Sequence, residues 1–562
     1  MGQICLAVIF AIFLGSTGGA MAGIHDNSVA SNEFPLISST YSTEGTLFIP
    51  YAEIEEPFAA WMDDKGRSRI DFYGGVSKTF QLSKLNENGV MRKVVPVTNE
   101  QYTNKLTCFE VNGTANAKVT AQSVLPDTSQ FQFVGTEIVN SVKCKKYALV
   151  ETKGQKVNKY TYWVKVEPSP LDPDISLGTP VKYEMRGYNT LLGSHYDHYY
   201  LIYDWFSPEL PTDDVFQVPP SLSCGDFPGP GVSHHKTIAT FNPMKEFIHN
   251  EDRHVQTNFE EFINTHNKQY KHDREHHHRL NVFRNNFRFI HSKNRQGLTF
   301  RLAINHLADR TEDELRVLRG RLTTKGSNGA LPSPSYDKSD AKDLPPSFDW
   351  RLYGAVTPVK DQSVCGSCWS FGTIGTIEGA NFLKTGTLVR LSQQALVDCS
   401  WGFGNNGCDG GEDFRSYQWI MKHGGVPSED SYGPYLGIDA YCHVQNSTMA
   451  AKITGYVNVT SGDSNALKFS MLKNGPISVG IDASHKTLSF YANGVYYDPQ
   501  CKNGVDDLDH AVLLTGYGTI NGQDYWLIKN SWSTYWGNDG YVLMSQKDNN
   551  CGVSTAATYV TM

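Results

Sequence analysis

The sequence predicts an α+β protein made of several domains in series. Three observations carry that expectation. Residues 23–206 are rich in aromatic and β-branched runs parted by turn residues, with no long helical period. Residues 245–320 switch to a helical period. At 562 residues, the chain also exceeds what one hydrophobic core supports.

Residues 1–22 read as a secretory signal. The apolar run Ile4 to Leu14 is too short to span a bilayer, and Ala20-Met21-Ala22 follows it as a cleavage site. No later run has 18 or more apolar residues, so no membrane anchor is expected. A net charge of −8 is modest and argues against nucleic acid as a partner. The secretory route permits disulfides, and eleven Cys are present, of which Cys5 leaves with the signal. Asn112, Asn446 and Asn458 head glycosylation sequons.

Residues 23–206 read as an antiparallel sheet, curved or closed into a partial barrel. Tyr160 to Val166 and Tyr199 to Tyr203 are representative strands. His195 and His198 invite a metal reading, but on a strand they face opposite sides, so no metal or cofactor is expected. Cys108 and Cys144 are the expected pair here, with Cys224 free or cross-linking. Residues 207–244 read as a linker, because Pro208, Pro211, Pro219, Pro220, Pro228 and Pro230 block regular elements.

In residues 245–343, Glu275, Arg279, Phe283, Asn286, Ile290 and Asn294 are spaced four, four, three, four and four, which places them on one helix face. Nine of the eighteen His lie between His249 and His306, including His276, His277 and His278. Acidification would charge this segment. Residues 321–343 are polar and breaker-rich, and read as a protease-accessible joint.

The chemistry concentrates in residues 344–562. Cys368 opens a Pro-free run of small and apolar residues to Leu383, read as a helix whose N-terminus stabilises a thiolate. Seven Cys lie in this region, and an odd number leaves one thiol free. Downstream, His510 stands in a strand-like apolar run, and Asn530 precedes Ser531 and Trp532. A thiolate, an imidazole base, an orienting amide and an oxyanion donor are the parts of an acyl-transfer site.

These motifs resemble those of papain-family, cathepsin L-like cysteine peptidases. Cys365-Gly366-Ser367-Cys368-Trp369 is similar to the signature around the family nucleophile, with His and Asn far downstream. The six-residue helix face is similar to the cathepsin L-type propeptide motif. Ala303 to Asp309 resembles the motif that follows it, with Ala303 and Leu307 where the family has Gly and Phe. The resemblance covers residues 245–562 and implies a papain-like two-lobed peptidase over 344–562. A helical lobe would run to about residue 455 and a β-barrel lobe beyond, behind a helical inhibitory propeptide over 245–343.

The same resemblance implies the roles. Cys368 would be the nucleophile, His510 the base, Asn530 its orienter and Gln362 the oxyanion donor, with Trp532 shielding the His510–Asn530 bond. It implies the bridges Cys365–Cys408, Cys399–Cys442 and Cys501–Cys551. Gly410 and Gly411 would pair with an extended substrate. Asp413, Gly480, Leu508, Ala511 and Ala556 would line an S2 pocket that takes bulky hydrophobic P2 and tolerates Arg. An endopeptidase of protein and peptide substrates is expected, without cofactor, in the lysosome, a granule or the extracellular space. The β-rich domain ahead of such a half resembles the two-chain cathepsin L-like proteinases of insect haemocytes, implying a cleaved N-terminal chain that stays paired. A rival reading makes the β domain a ligand-binding module on an inert scaffold. The presence of all four site residues speaks against it.

Overall fold

The computed structural model describes residues 34–99, 101–226, 243–249, 251–334 and 344–562. The expected signal, residues 227–242 of the linker and residues 335–343 of the joint lie outside the described residues. No helix among the described residues is long and apolar enough to cross a membrane.

Two meanders build the N-terminal sheet. One has six strands between Tyr41 and Asn112, the other five between Gln132 and Ser207. They meet where Tyr41–Ile49 pairs antiparallel with Ser194–Ser207. Tyr41–Ile49 buries every second residue, the period that one-sided packing dictates. Tyr147, Tyr160, Tyr162, Tyr183 and Tyr199 fill the core beneath. The strand order runs openly from one edge to the other.

Two expectations are corrected here. Cys108 bridges Cys224, while Cys144 is a free, buried thiol packed with Trp163 and Val181. The cause is register. Cys224–Asp226 forms a short parallel strand beside Lys105–Asn112, with Cys224 opposite Cys108. Cys144 lies on Val142–Lys153, near the opposite edge of the sheet. The segment expected as a linker over 207–244 is also partly structured. The bridge ties it down, Phe216 is buried against Phe80 and Leu82, and helix α1 (Met244–His249) sinks Met244, Phe247 and Ile248 into the sheet's core.

Helices α2 (Arg253–Thr265) and α3 (Asp273–Asn294) follow. Three polar members of the predicted α3 face carry bonds inside the segment. Arg279 forks onto Glu314 at 2.7 and 2.8 Å. Asn286 donates to the Ala308 carbonyl at 2.9 Å, and Asn294 to the Leu302 carbonyl at 2.8 Å. Asp309 accepts from Lys268 and Tyr270, both at 2.9 Å. Phe300–Leu302 then pairs with Tyr491–Tyr496, adding a strand to the sheet of the last domain. Helix α4 (Glu312–Arg316) is closed by a capping box from Thr311 and Glu314.

Over 344–562 the chain forms a helical cluster and a β-rich cluster. Helix α5 (Cys368–Thr385) crosses between them and packs on His510–Ile520 and Ile477–Ile481. The approach is close. A Cβ on Gly375 would lie 2.6 Å from a Leu513 methyl. This packing brings the N-terminus of α5 to the start of the His510 strand. Cys365–Cys408, Cys399–Cys442 and Cys501–Cys551 are bridged.

Candidate active site

Cys368 is the first residue of α5, where the unbonded N–H groups of a helix face outward. Its thiol is free and buried. It lies within hydrogen-bond reach of the backbone at Ala511, the residue after His510, and of the backbone at Gly320. Helix and strand therefore bring together residues that stand far apart in the chain.

His510 Nε2 donates to Asn530 Oδ1 at 2.8 Å. An amide oxygen only accepts, so Nε2 carries the hydrogen and Nδ1 is the basic nitrogen. That Nδ1 is buried and faces the Leu318 backbone of the strap. Asn530 Oδ1 also accepts from the Ser531 N–H at 2.8 Å, which fixes the amide. The Trp532 ring lies 4.8 Å from the His510 ring and keeps water from the pair.

Gln362 is fully buried. Its N–H donates to the Ser531 carbonyl at 2.8 Å, and its Oε1 accepts from Ser531 Oγ at 2.7 Å. Its Nε2 donates to the Cys365 carbonyl at 2.7 Å and the Leu318 carbonyl at 3.0 Å. Ser531 was missed at the level of sequence, although it sits inside the Asn530-Ser531-Trp532 triplet.

A strap of the chain's own residues, Leu318 to Leu322, occupies the cleft. The Gly320 carbonyl accepts from the Gly411 N–H at 2.9 Å, and the Leu322 N–H donates to the Gly411 carbonyl at 2.9 Å. The Arg321 N–H donates to the Asp509 carbonyl at 3.0 Å. Gly320 touches the opposite wall so closely that a Cβ there would fall 1.8 Å from the Gly366 carbonyl oxygen. The Arg321 side chain rests on Gly480 and donates to the Leu508 carbonyl at 2.9 Å. Asp413 is otherwise engaged, accepting from Thr558 Oγ1 at 2.5 Å. The Ala556 carbonyl accepts from the Gly480 N–H at 2.9 Å, and Ala511 is buried beside Cys368.

The joint expected over 321–343 is held down as far as 334. Thr324 bonds Glu412, Asn328 bonds Asn458, and the Leu331 N–H donates to the Tyr456 carbonyl at 2.8 Å. Polar breakers make it extended, and an extended backbone finds strand-like partners. The three sequon residues, Asn112, Asn446 and Asn458, are exposed.

Burial is the leading influence on the two titrating groups. It pushes the Cys368 thiol up to about 11 and His510 down to about 4. Burial thus favours the neutral thiol and the neutral imidazole. Asp509 is pushed up to about 6 by burial, against its contact with Arg319 at 3.0 Å.

A family described as papain family cysteine protease matches residues 344–561, and the cathepsin propeptide inhibitor domain matches residues 259–315. Digestive cysteine proteinase 1 of Homarus americanus is 45% identical over 311 residues, 54% of this chain and 94% of that protein. Cathepsin L of Sarcophaga peregrina is 42% identical over 313 residues, 53% of this chain and 90% of its own. The structure of digestive procathepsin L 3 from Tenebrio molitor larval midgut superposes with a TM-score of 0.50 at 38% identity, covering 55% of this chain and 99% of that one.

Proposed function

Because the chain belongs to the papain family of cysteine proteases, we propose that it is a cathepsin L-like endopeptidase made as a zymogen, with Cys368 as nucleophile and His510 as base. One observation carries this reading. The free thiol lies at a helix N-terminus, in a cleft where Gln362 already holds a carbonyl. That Leu318 carbonyl stands in for the substrate oxygen on which negative charge develops.

The mechanism uses these parts in sequence. Once the strap leaves, water reaches the cleft, and the α5 N-terminus favours thiolate beside imidazolium. The Cys368 sulfur attacks the peptide carbonyl, forming the C–S bond. Gln362 Nε2 and the Cys368 N–H receive the oxyanion. His510 gives its proton to the leaving amine as the C–N bond breaks. It then takes a proton from water, which attacks the thioester and returns the sulfur to thiolate. Losing the Gln362 donor costs about 3 kcal/mol of transition-state stabilisation.

Arg321 supports the substrate reading. Its seat against Gly480 and Leu508 is wide enough for a long side chain, so the pocket takes bulky hydrophobic P2 and accepts Arg. A P2 library that favoured Gly or Pro would remove this preference. The enzyme acts in a lysosome, granule or extracellular space, with glycans on its exposed asparagines and the cleaved N-terminal chain retained. Native mass spectrometry of matured material reads that pairing directly. Labelling by a thiol-directed epoxysuccinyl inhibitor at Cys368 tests the nucleophile. Absence of label in matured, folded protein would overturn the assignment.

A further inference from the structure

Helix α3 is buried on two opposite sides. One side carries Arg279, Phe283, Asn286, Ile290 and Asn294 and faces the propeptide's own core. The other carries Arg284 and Arg288, continued by Arg295 at the C-cap, spaced four and seven, and faces the β domain. These arginines are not solvated. Arg288 is 5% exposed and Arg295 8%. Arg288 forks onto Asp197 of the β domain at 2.7 and 2.9 Å and takes Glu246 of α1 at 2.8 Å. Arg295 forks onto Glu56, a carboxylate only 1% exposed, with its second bond at 2.7 Å. Phe72 and Tyr199 lie under the two guanidinium groups. At the rim, Tyr73 and Ser292 share a hydrogen bond of 2.5 Å, and Asn104 donates to the Gly297 carbonyl at 2.7 Å.

The β domain's polar contacts with residues 344–562 lie at the periphery. They include the Asn521 amide on the Thr103 hydroxyl at 3.1 Å and Lys486 near Glu53 at 4.0 Å. The buried carboxylates Glu56 and Asp197 are therefore met by arginines of the helix and its C-cap rather than by the enzyme half. Removing one partner of such a pair leaves an uncompensated charge inside the protein.

We propose that the β domain is a receptor for helix α3, gripping its outer side through the Arg288 and Arg295 sockets, so that β domain and propeptide work as one inhibitory body. This rests on reading residues 245–343 as an inhibitory propeptide. It gives the β domain a partner of stated chemistry, an arginine-bearing helix face, and a role in latency.

The test uses the full chain carrying Cys368→Ala, so that no turnover intervenes, and follows amide exchange along α3. Glu56→Gln and Asp197→Asn should each speed exchange in α3 about tenfold or more. In the active full chain they should shorten activation by a similar factor and leave kcat/KM of the matured enzyme unchanged. Unaltered α3 exchange, with the β strands still protected, would overturn the proposal. If a socket variant unfolds the sheet, exchange at Tyr41–Ile49 reveals it, and Tyr73→Phe then decides. That variant should speed exchange near Ser292 about threefold, and no change would be fatal to the idea. A chain whose exchange responds as expected but never yields activity would sink the peptidase reading and leave the grip standing.

Discussion

The propeptide touches its two neighbours by different physics. Against the cleft it leads with main chain, the Leu318 and Gly320 carbonyls and the Arg321 and Leu322 N–H groups, with Arg319 and Arg321 side chains beside them. Against the β domain it uses side chains, chiefly arginines set into buried carboxylates. A backbone seam accepts many sequences, provided the chain can come close enough. A socketed seam accepts few, because every buried charge needs its partner. The first resembles how a peptidase meets substrate, and the second how one protein selects another.

Substitutions can pull the two seams apart. Cys368→Ala should lower peptide hydrolysis by about 10⁴-fold or more while leaving both seams and the fold in place. Residual turnover in a rigorously purified sample would refute the nucleophile. Gln362→Ala should lower kcat by about 10²–10³-fold. It should also loosen the strap, since the same amide holds Leu318, so faster activation of a slower enzyme is the signature. Gly320→Ala attacks the backbone seam alone. The clash with Gly366 should weaken strap seating by about 1–3 kcal/mol, seen as premature labelling of Cys368 by the epoxysuccinyl probe. Normal latency in that variant would show that the close approach is dispensable.

At mildly acid pH the expected effect is gradual. Burial first, then Arg295, Lys93, His254 and Arg301, hold His291 down at about 3. Burial, Lys268 and His266 hold His306 at about 3. Both stay neutral in the closed zymogen and gain protons only on release, where their ordinary value is 6.5. A depressed histidine therefore costs nothing above that value. It destabilises the closed form as pH falls from about 6.5 toward 3, by about 1.4 kcal/mol per unit per group. Glu314 works in a lower window. Burial opposes its charge, but Arg279 and the Thr311 N–H hold it at about 2, so its support fades only below the ordinary carboxylate range. His306→Asn should move activation to more acid pH. An unmoved midpoint in a pH series would remove His306 from the account.

The two seams were unequally legible in the sequence. Cys368, Gln362, His510 and Asn530 stand out because they sit in compact motifs that resemble papain-family ones, and their proposed roles rest on that resemblance. The inward face of α3 showed through its helical spacing. Its outer face did not, since arginines at helical spacing ordinarily mean a solvated surface. Only a neighbour presenting Glu56 and Asp197 turns them inward, and nothing local announces that neighbour. The Cys108–Cys224 bridge escaped for a similar reason. It depends on a three-residue parallel strand, too short and too Pro-flanked to read as one. The main-chain contacts of the strap residues Leu318 to Leu322 were also unreadable, because such a contact leaves no mark in side-chain identity.

The Cys108–Cys224 bridge closes a ring across a sequence separation of 116 residues. A single nick inside that ring opens the loop without parting the fragments. A gel run without reductant would then show one band where a reduced gel shows two. Counting subunits of this protein by electrophoresis alone would give different answers in the two buffers.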